Sequence, residues 1–262
     1  MGRIIAIANQ KGGVGKTTTS VNLAASLGSL GKKVLLIDLD PQGSTSACLG
    51  INRGSLKASV YDMFIHNVDL DNIIITPEHA KIDVVPATVD LASIELKLLT
   101  DDFKQYKLDM KLKKIKDKYD YIFIDCPPSL GLITLNAFYA ADSVLIPVQC
   151  HFLAVDGLTQ LYNTVRIVQV QKKLNKRTLS IEGVLLTMLD KRTTSGWEIV
   201  NEIKEYFREK VFDTIITTNV AAQIAPTYGM PILVYDKKSK AAKQYISLAK
   251  ELMKKNGWKI IR

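Results

Sequence analysis

Cysteine is scarce. Cys48, Cys126 and Cys150 are the only three, widely spaced, in no CxxC pair and with no histidine at metal-ligand spacing. That excludes a disulfide scaffold or a zinc finger and fits ordinary thiols in a reducing compartment. No run of about 18 apolar residues occurs, so no transmembrane helix is expected. The opening "MGRIIAIANQ" lacks a signal-peptide core and cleavage site, and Ala6 stands where a myristoylation signal needs Ser or Thr. A cytoplasmic protein is expected. Low-complexity tracts, Gly/Ser linkers and internal repeats are missing too, so residues 1–262 are expected to form a single domain, for which a hydrophobic fraction of 47% is ample. Acids are scarce at one end: from Lys237 to Arg262 a single Glu251 faces nine Lys and Arg, and nearly all of the net charge of +9 sits there. Such a basic stripe suits DNA or an anionic membrane face, or simply keeps a helix face solvated.

What is present is an alternation. Six short apolar runs rich in β-branched residues, Arg3 to Ala8, Lys33 to Asp38, Ile82 to Ala87, Tyr119 to Asp125, Ser143 to Val148 and Ile181 to Leu189, read as buried parallel strands. Helical patterns lie between them, including "TTTSVNLAASLGSLG", which ends at Gly31, and "VDGLTQLYNTVRIVQVQKKL". The expected fold is α/β, a doubly wound, mostly parallel sheet flanked by helices, with ligands outside the carboxyl ends of the strands. The stretch from Gln42 to Leu99 is less regular and reads as a switch or partner-binding excursion. A last, basic helix is expected over about 239–256, with Tyr245, Leu248, Ala249 and Leu252 on one face.

Between the first strand and first helix stands "NQKGGVGKTT". Glycines followed by Lys and Thr at a helix start form a phosphate cradle, because backbone N–H groups and the helix dipole converge on the phosphate oxygens. The usual P-loop glycine six residues before the lysine is absent, since counting back from Lys16 lands on Gln10. A second lysine, Lys11, precedes Gly12 and Gly13 instead.

In this the chain resembles the deviant Walker A ATPases, the family of ParA partition proteins and MinD division-site proteins. The likeness continues in "VLLIDLDPQG" (34–43), "YDYIFIDCPPSLG" (119–131), "GVLLTMLDKRT" (183–193) and the "AP" and "G-x-P" of 225–231. It implies ATP and Mg²⁺ as cofactors. Lys11, Gly12, Gly13, Val14, Gly15, Lys16, Thr17 and Thr18 would hold the nucleotide, Lys16 reaching the β- and γ-phosphates and Thr17 the Mg²⁺. Asp125 fits the Walker B acid, holding Mg²⁺ through water, and Asp38 would support the metal and the loop. Asp40 would place the attacking water; if the strand persisted, Asp38 and Asp40 would point the same way. By the same resemblance Lys11 crosses a dimer interface to the partner's ATP, a cationic finger supplied in trans. The base pocket would use Thr187 to Asp190 and Asn219, with Thr217 where the family usually has proline.

The resemblance also implies an ATP-dependent homodimer, nonspecific DNA as cargo surface and a ParB-like activator that speeds slow hydrolysis. Arg192 aligns with a DNA-contacting arginine, and Lys237, Lys238, Lys240 and Lys243 add charge. Two arginines of the ParA pattern are replaced by Thr218 and Ala221, and a glutamate by Ile224. Each lost contact weakens the electrostatic term. Two alternatives stand beside DNA: a protein cargo, and a MinD-like membrane site on the "GWKIIR" end with Trp258, Ile260 and Ile261. An iron–sulfur reductase or a metabolic P-loop enzyme lacks its cysteine pattern or substrate motif here.

Overall fold

One sheet of six parallel strands organises the computed structural model, which describes residues 2–151 and 156–258. The strands are β1 (Arg3–Ile7), β2 (Val34–Asp38), β3 (Asp83–Val85), β4 (Tyr121–Asp125), β5 (Ser143–Gln149) and β6 (Ser180–Thr187), in the order β3-β2-β4-β1-β5-β6. Every pairing between them is parallel. All six expected strands are present, and "mostly parallel" becomes wholly parallel among them.

The helices are α1 (Lys16–Ser29), α2 (Ser44–Cys48), α3 (Val60–Ile65), α4 (Ile94–Lys97), α5 (Lys107–Leu112), α6 (Leu132–Ala140), α7 (Asp156–Leu174), α8 (Thr194–Phe207), α9 (Val220–Ile224), α10 (Ile232–Tyr235) and α11 (Lys240–Lys255). Helix α1 stops two residues before Gly31, whose φ of 83° is the left-handed turn that glycine supplies. The expected terminal helix is α11, capped by the Ser239 hydroxyl, which accepts the Ala242 amide at 3.2 Å. The four residues assigned to its inner face are all buried.

Strand side chains alternate between two cores. Ile5, Ile7, Leu36, Tyr121, Phe123 and Leu145 pack with α1 and α11. Ile4, Ala6, Ile37, Ile122, Ile124 and Val144 pack on the opposite side with α6 and α7. Because both faces are covered, the strands are apolar almost throughout, and polar side chains stand toward their two ends, with Asp38, Asp125, Gln149 and Thr187 at the carboxyl ends. The irregular 42–99 stretch is built from short helices and turns around β3, which closes one sheet edge.

Candidate active site

The turn between β1 and α1 depends on glycine at two points. Gly13 (φ 74°) and Gly15 (φ 87°) take left-handed backbone, which lets the chain wrap back before α1 begins at Lys16. From the far side, the Thr187 hydroxyl donates to the Val14 carbonyl at 2.8 Å and ties the loop to β6. Lys16 is buried, and its ammonium donates to the Lys11 carbonyl at 3.2 Å. Burial lowers its pKa, while the charges of Asp125 and Asp40 pull it back up.

Asp125 closes β4 with no exposed surface. Three hydroxyls donate to it, each at 2.8 Å: Thr17 and Thr45 to Oδ2 and Ser20 to Oδ1. Thr17 and Asp125, paired in the sequence reading, are therefore in contact. Ser20 and Thr45 were not anticipated. Ser20 lies one turn beyond Thr17 on the same helix face, and that spacing is the signal that finds it; Thr45 arrives from α2 and leaves no such trace.

Asp38 and Asp40 differ in burial. Strand β2 ends at Asp38, so the alternation rule has no strand left to act on. The Asp38 carboxylate turns inward, accepting the Asp40 amide at 3.1 Å, the Ser46 amide at 3.3 Å and the Ser46 hydroxyl at 3.4 Å. Asp40 sits half-buried at the rim, where its carboxylate accepts the Gln42 amide at 3.0 Å. Burial and the neighbouring Asp125 push the Asp38 carboxyl up to about 8. Burial raises Asp125 as well, against the three hydroxyl bonds that lower it.

This donor set fits Mg²⁺. It offers only hard oxygens, and two crowded buried carboxyls leave the site short of positive charge. Mg²⁺ needs just one or two carboxylates because it keeps several waters and binds substrate phosphates. Thr17, Asp38 and Asp125 are the residues that would hold it.

Beside the loop opens a cleft of about 440 Å³, lined by Gly15, Thr18, Thr187, Met188, Asn219 and Tyr245 among others. The Asn219 side-chain oxygen accepts the Ala222 amide at 3.1 Å as the cap of α9, which leaves its NH₂ as the donor for a base. Thr217 uses the amide that a proline would lack, donating it to Gln244 on α11 at 3.2 Å. Asp190, which the family pattern places at the base, is held by Arg192 through two bonds at 3.0 and 2.7 Å.

Arg192 itself is highly exposed despite that pairing. Lys237, Lys238, Lys240 and Lys243 are exposed around the start of α11. Ile224 is 39% exposed. Of the membrane candidates, Trp258 lies under the Lys32 ammonium, 3.2 Å from its ring centroid, while Ile260 and Ile261 lie outside the described residues.

A glycine cradle at the head of a helix, a buried lysine within it and acids at the ends of adjacent parallel strands define a P-loop nucleotide-binding fold. Residues 2–181 match the family model described as AAA domain. Sporulation initiation inhibitor protein Soj of Bacillus subtilis (strain 168) is 52% identical over 252 residues, 96% of this chain and 98% of that one. Chromosome partitioning protein ParA of Myxococcus xanthus (strain DK1622) is 45% identical, over 98% of this chain and 89% of its own. Among solved structures, cobyrinic acid a,c-diamide synthase from Mycobacterium smegmatis, with bound ATP analog and magnesium, matches with a TM-score of 0.85 and 34% identity, covering 99% of this chain and 98% of that one. The chain belongs to the ParA/MinD family of deviant Walker A P-loop ATPases, and its sequence is similar to the Soj and ParA partitioning proteins over nearly its whole length.

Proposed function

We propose that this protein is a ParA-type partition ATPase, a switch that binds ATP with Mg²⁺, dimerises in that state, holds DNA without sequence preference and hydrolyses slowly until a ParB-like activator arrives. The observation that carries the reading is the convergence of Lys16, Thr17, Asp38 and Asp125 at the mouth of the glycine loop, in a chain 52% identical to Soj. The solved relative with an ATP analog and magnesium supports the choice of cofactors.

Lys16, already inside the loop, donates to phosphate oxygens in place of the Lys11 carbonyl. The Thr17 hydroxyl keeps its proton on Asp125 and offers its oxygen to the metal. Mg²⁺, held by Thr17, Asp38 and Asp125, would supply positive charge for the phosphate oxygens. Asp40, at the rim, orients the attacking water. Gly12 and Gly13 form the exposed crest of the loop, and Lys11 extends from it toward a second subunit. Asn219 donates to the base.

The reading separates binding from hydrolysis. Lys16→Ala is expected to abolish ATP binding, read by calorimetry with Mg²⁺. Asp40→Ala is expected to bind ATP normally, stop phosphate release and accumulate a dimer in sedimentation. Phosphate release at the wild-type rate from Asp40→Ala would remove Asp40 from the reaction.

A further inference from the structure

Strand β1 makes its last sheet bond to β5 where the Ala8 amide donates to the Leu145 carbonyl at 3.1 Å. Past that point the chain leaves the sheet for the glycine loop. Pro147, two residues further along β5, needs no partner for an N–H but still presents a carbonyl. Asn9, buried at 4% exposure, takes the place of the departed strand: its Nδ2 donates to the Pro147 carbonyl at 2.7 Å. The other end of the same amide, Oδ1, accepts the Lys11 backbone N–H at 3.0 Å. The Lys11 carbonyl is held in turn by Lys16 at 3.2 Å. Both polar groups of the Lys11 backbone are therefore held before nucleotide arrives, and once Lys16 turns to phosphate the Asn9 bond is the one that stays, immediately before the exposed crest where added Cβ atoms on Gly12 and Gly13 would meet no atom within 4 Å.

We propose that Asn9 is the positioning residue for Lys11: it transmits the register of β5 to the loop and fixes the direction in which the Lys11 side chain leaves toward a second subunit's phosphates. The inference rests on the trans role given to Lys11 above. The short side-chain amide supplies a donor and an acceptor on two atoms of one planar group, which is what the two bonds use. Aspartate keeps the acceptor for Lys11 but sets a carboxylate against the Pro147 carbonyl, and alanine removes both bonds. A finger displaced by about 1 Å at its root loses on the order of a hundredfold in a geometry-dependent step.

The test is a double-mutant cycle on the full chain with Asn9→Ala, Lys11→Ala and the pair. Two readouts are taken: MgATP affinity by calorimetry and the ATP-dependent monomer–dimer constant by sedimentation. Asn9→Ala is expected to keep MgATP affinity within about threefold while weakening the dimer about tenfold or more. The pair is expected to be no worse than Lys11→Ala alone. In the nucleotide-free protein, amide exchange at Lys11 is expected to rise about tenfold in Asn9→Ala and much less in Asn9→Asp, which retains the acceptor. Additive losses in the pair, an unweakened dimer in Asn9→Ala, or a loss of MgATP affinity equal to that of Lys16→Ala would each overturn the proposal. Should Asn9→Ala not fold, as judged by circular dichroism, Asn9→Leu, which also removes both bonds at nearly the original volume, carries the same cycle and the same outcomes. A dimer unaffected by Lys11→Ala itself is a different result: it removes the trans lysine, while the exchange measurement still reports whether Asn9 holds the Lys11 backbone.

Discussion

Asp38 and Asp125 are register partners at the carboxyl ends of adjacent parallel strands, β2 and β4, and neither has any exposed surface. Neighbouring strands lie about 4.8 Å apart, so two negative charges at these positions repel strongly away from water. Ionising both is therefore costly, and a divalent cation bound beside them would lower that cost.

This relationship gives a pH dependence. The Asp38 carboxyl is raised from an ordinary 3.8 to about 8, so across that interval the folded protein holds a proton that the unfolded chain has released. Its contribution to stability is full below the unfolded value and is lost as pH rises through the folded one. In nucleotide- and metal-free buffer, Asp38→Asn is expected to flatten the fall in Tm between about pH 5 and 8 and to raise Tm at pH 8 by about 2 °C or more. It should weaken Mg²⁺-dependent nucleotide binding at the same time. Parallel Tm curves for variant and wild type would mean that Asp38 is ionised throughout.

The crest of the loop offers a test that separates folding from the proposed dimer. A Cβ on Gly12 meets nothing within 4 Å in the single chain, and its φ is not left-handed. Gly12→Val is expected to leave Tm and MgATP affinity close to wild type and to abolish the ATP-dependent dimer, as sedimentation would show. Gly13, at φ 74°, also faces open space, but a β-branched residue there is strained by its backbone alone. Gly13→Val is expected to cost about 1–2 kcal/mol in urea unfolding before any partner is met. An ATP dimer that persists in Gly12→Val would take the crest out of the interface.

What the sequence makes legible follows from burial. Strands covered on both faces are nearly continuous apolar runs, so all six were readable, and a glycine turn between strand and helix declares its phosphate site. Ser20 showed only through its helical spacing from Thr17, and Thr45 and Ser46 left no comparable signal, because a hydroxyl that bonds a carboxylate on another element looks like any surface Ser or Thr. The different burial of Asp38 and Asp40 follows from where β2 stops, which one residue decides. Helices α2 to α5 span only four to six residues, too short for a helical period to emerge.

Helix α1 passes unusually close to the chain entering β3. An added Cβ on Gly28 would stand 2.2 Å from the Lys81 carbonyl oxygen and 3.1 Å from Ile82. Alanine ordinarily improves a helix interior by about 1 kcal/mol over glycine. Here the backbone contact decides the sign, because a carbonyl in a turn cannot swing aside as a side-chain tip does. Gly28→Ala is expected to destabilise by about 1–3 kcal/mol in urea unfolding. A neutral or stabilising result would show that the α1–β3 contact yields easily.

Charge on the outer face tests the cargo. The ParA pattern has arginines where this chain has Thr218 and Ala221; Thr218 donates its hydroxyl to the Met188 carbonyl at 3.1 Å, and Ala221 packs against the α1–α11 core. Arg192 spends its guanidinium on Asp190, but an exposed ion pair of this kind opens at little cost. On the proposed DNA-binding reading, electrostatic contact with the duplex would fall to Lys237, Lys238, Lys240 and Lys243 together with Arg192. With Asp40→Ala holding the ATP state, affinity for nonspecific duplex is expected to fall steeply with salt. Replacing all four lysines by glutamine should reduce the slope of log K against log[salt] by about 0.9 for each lysine that meets a phosphate, and Ala221→Arg should steepen it by a similar step. The same proteins are then offered anionic liposomes with ATP, ADP or no nucleotide. ATP-selective liposome binding, lost on deleting residues 257–262, together with a DNA affinity unchanged by the four glutamines, would move the cargo surface from DNA to membrane.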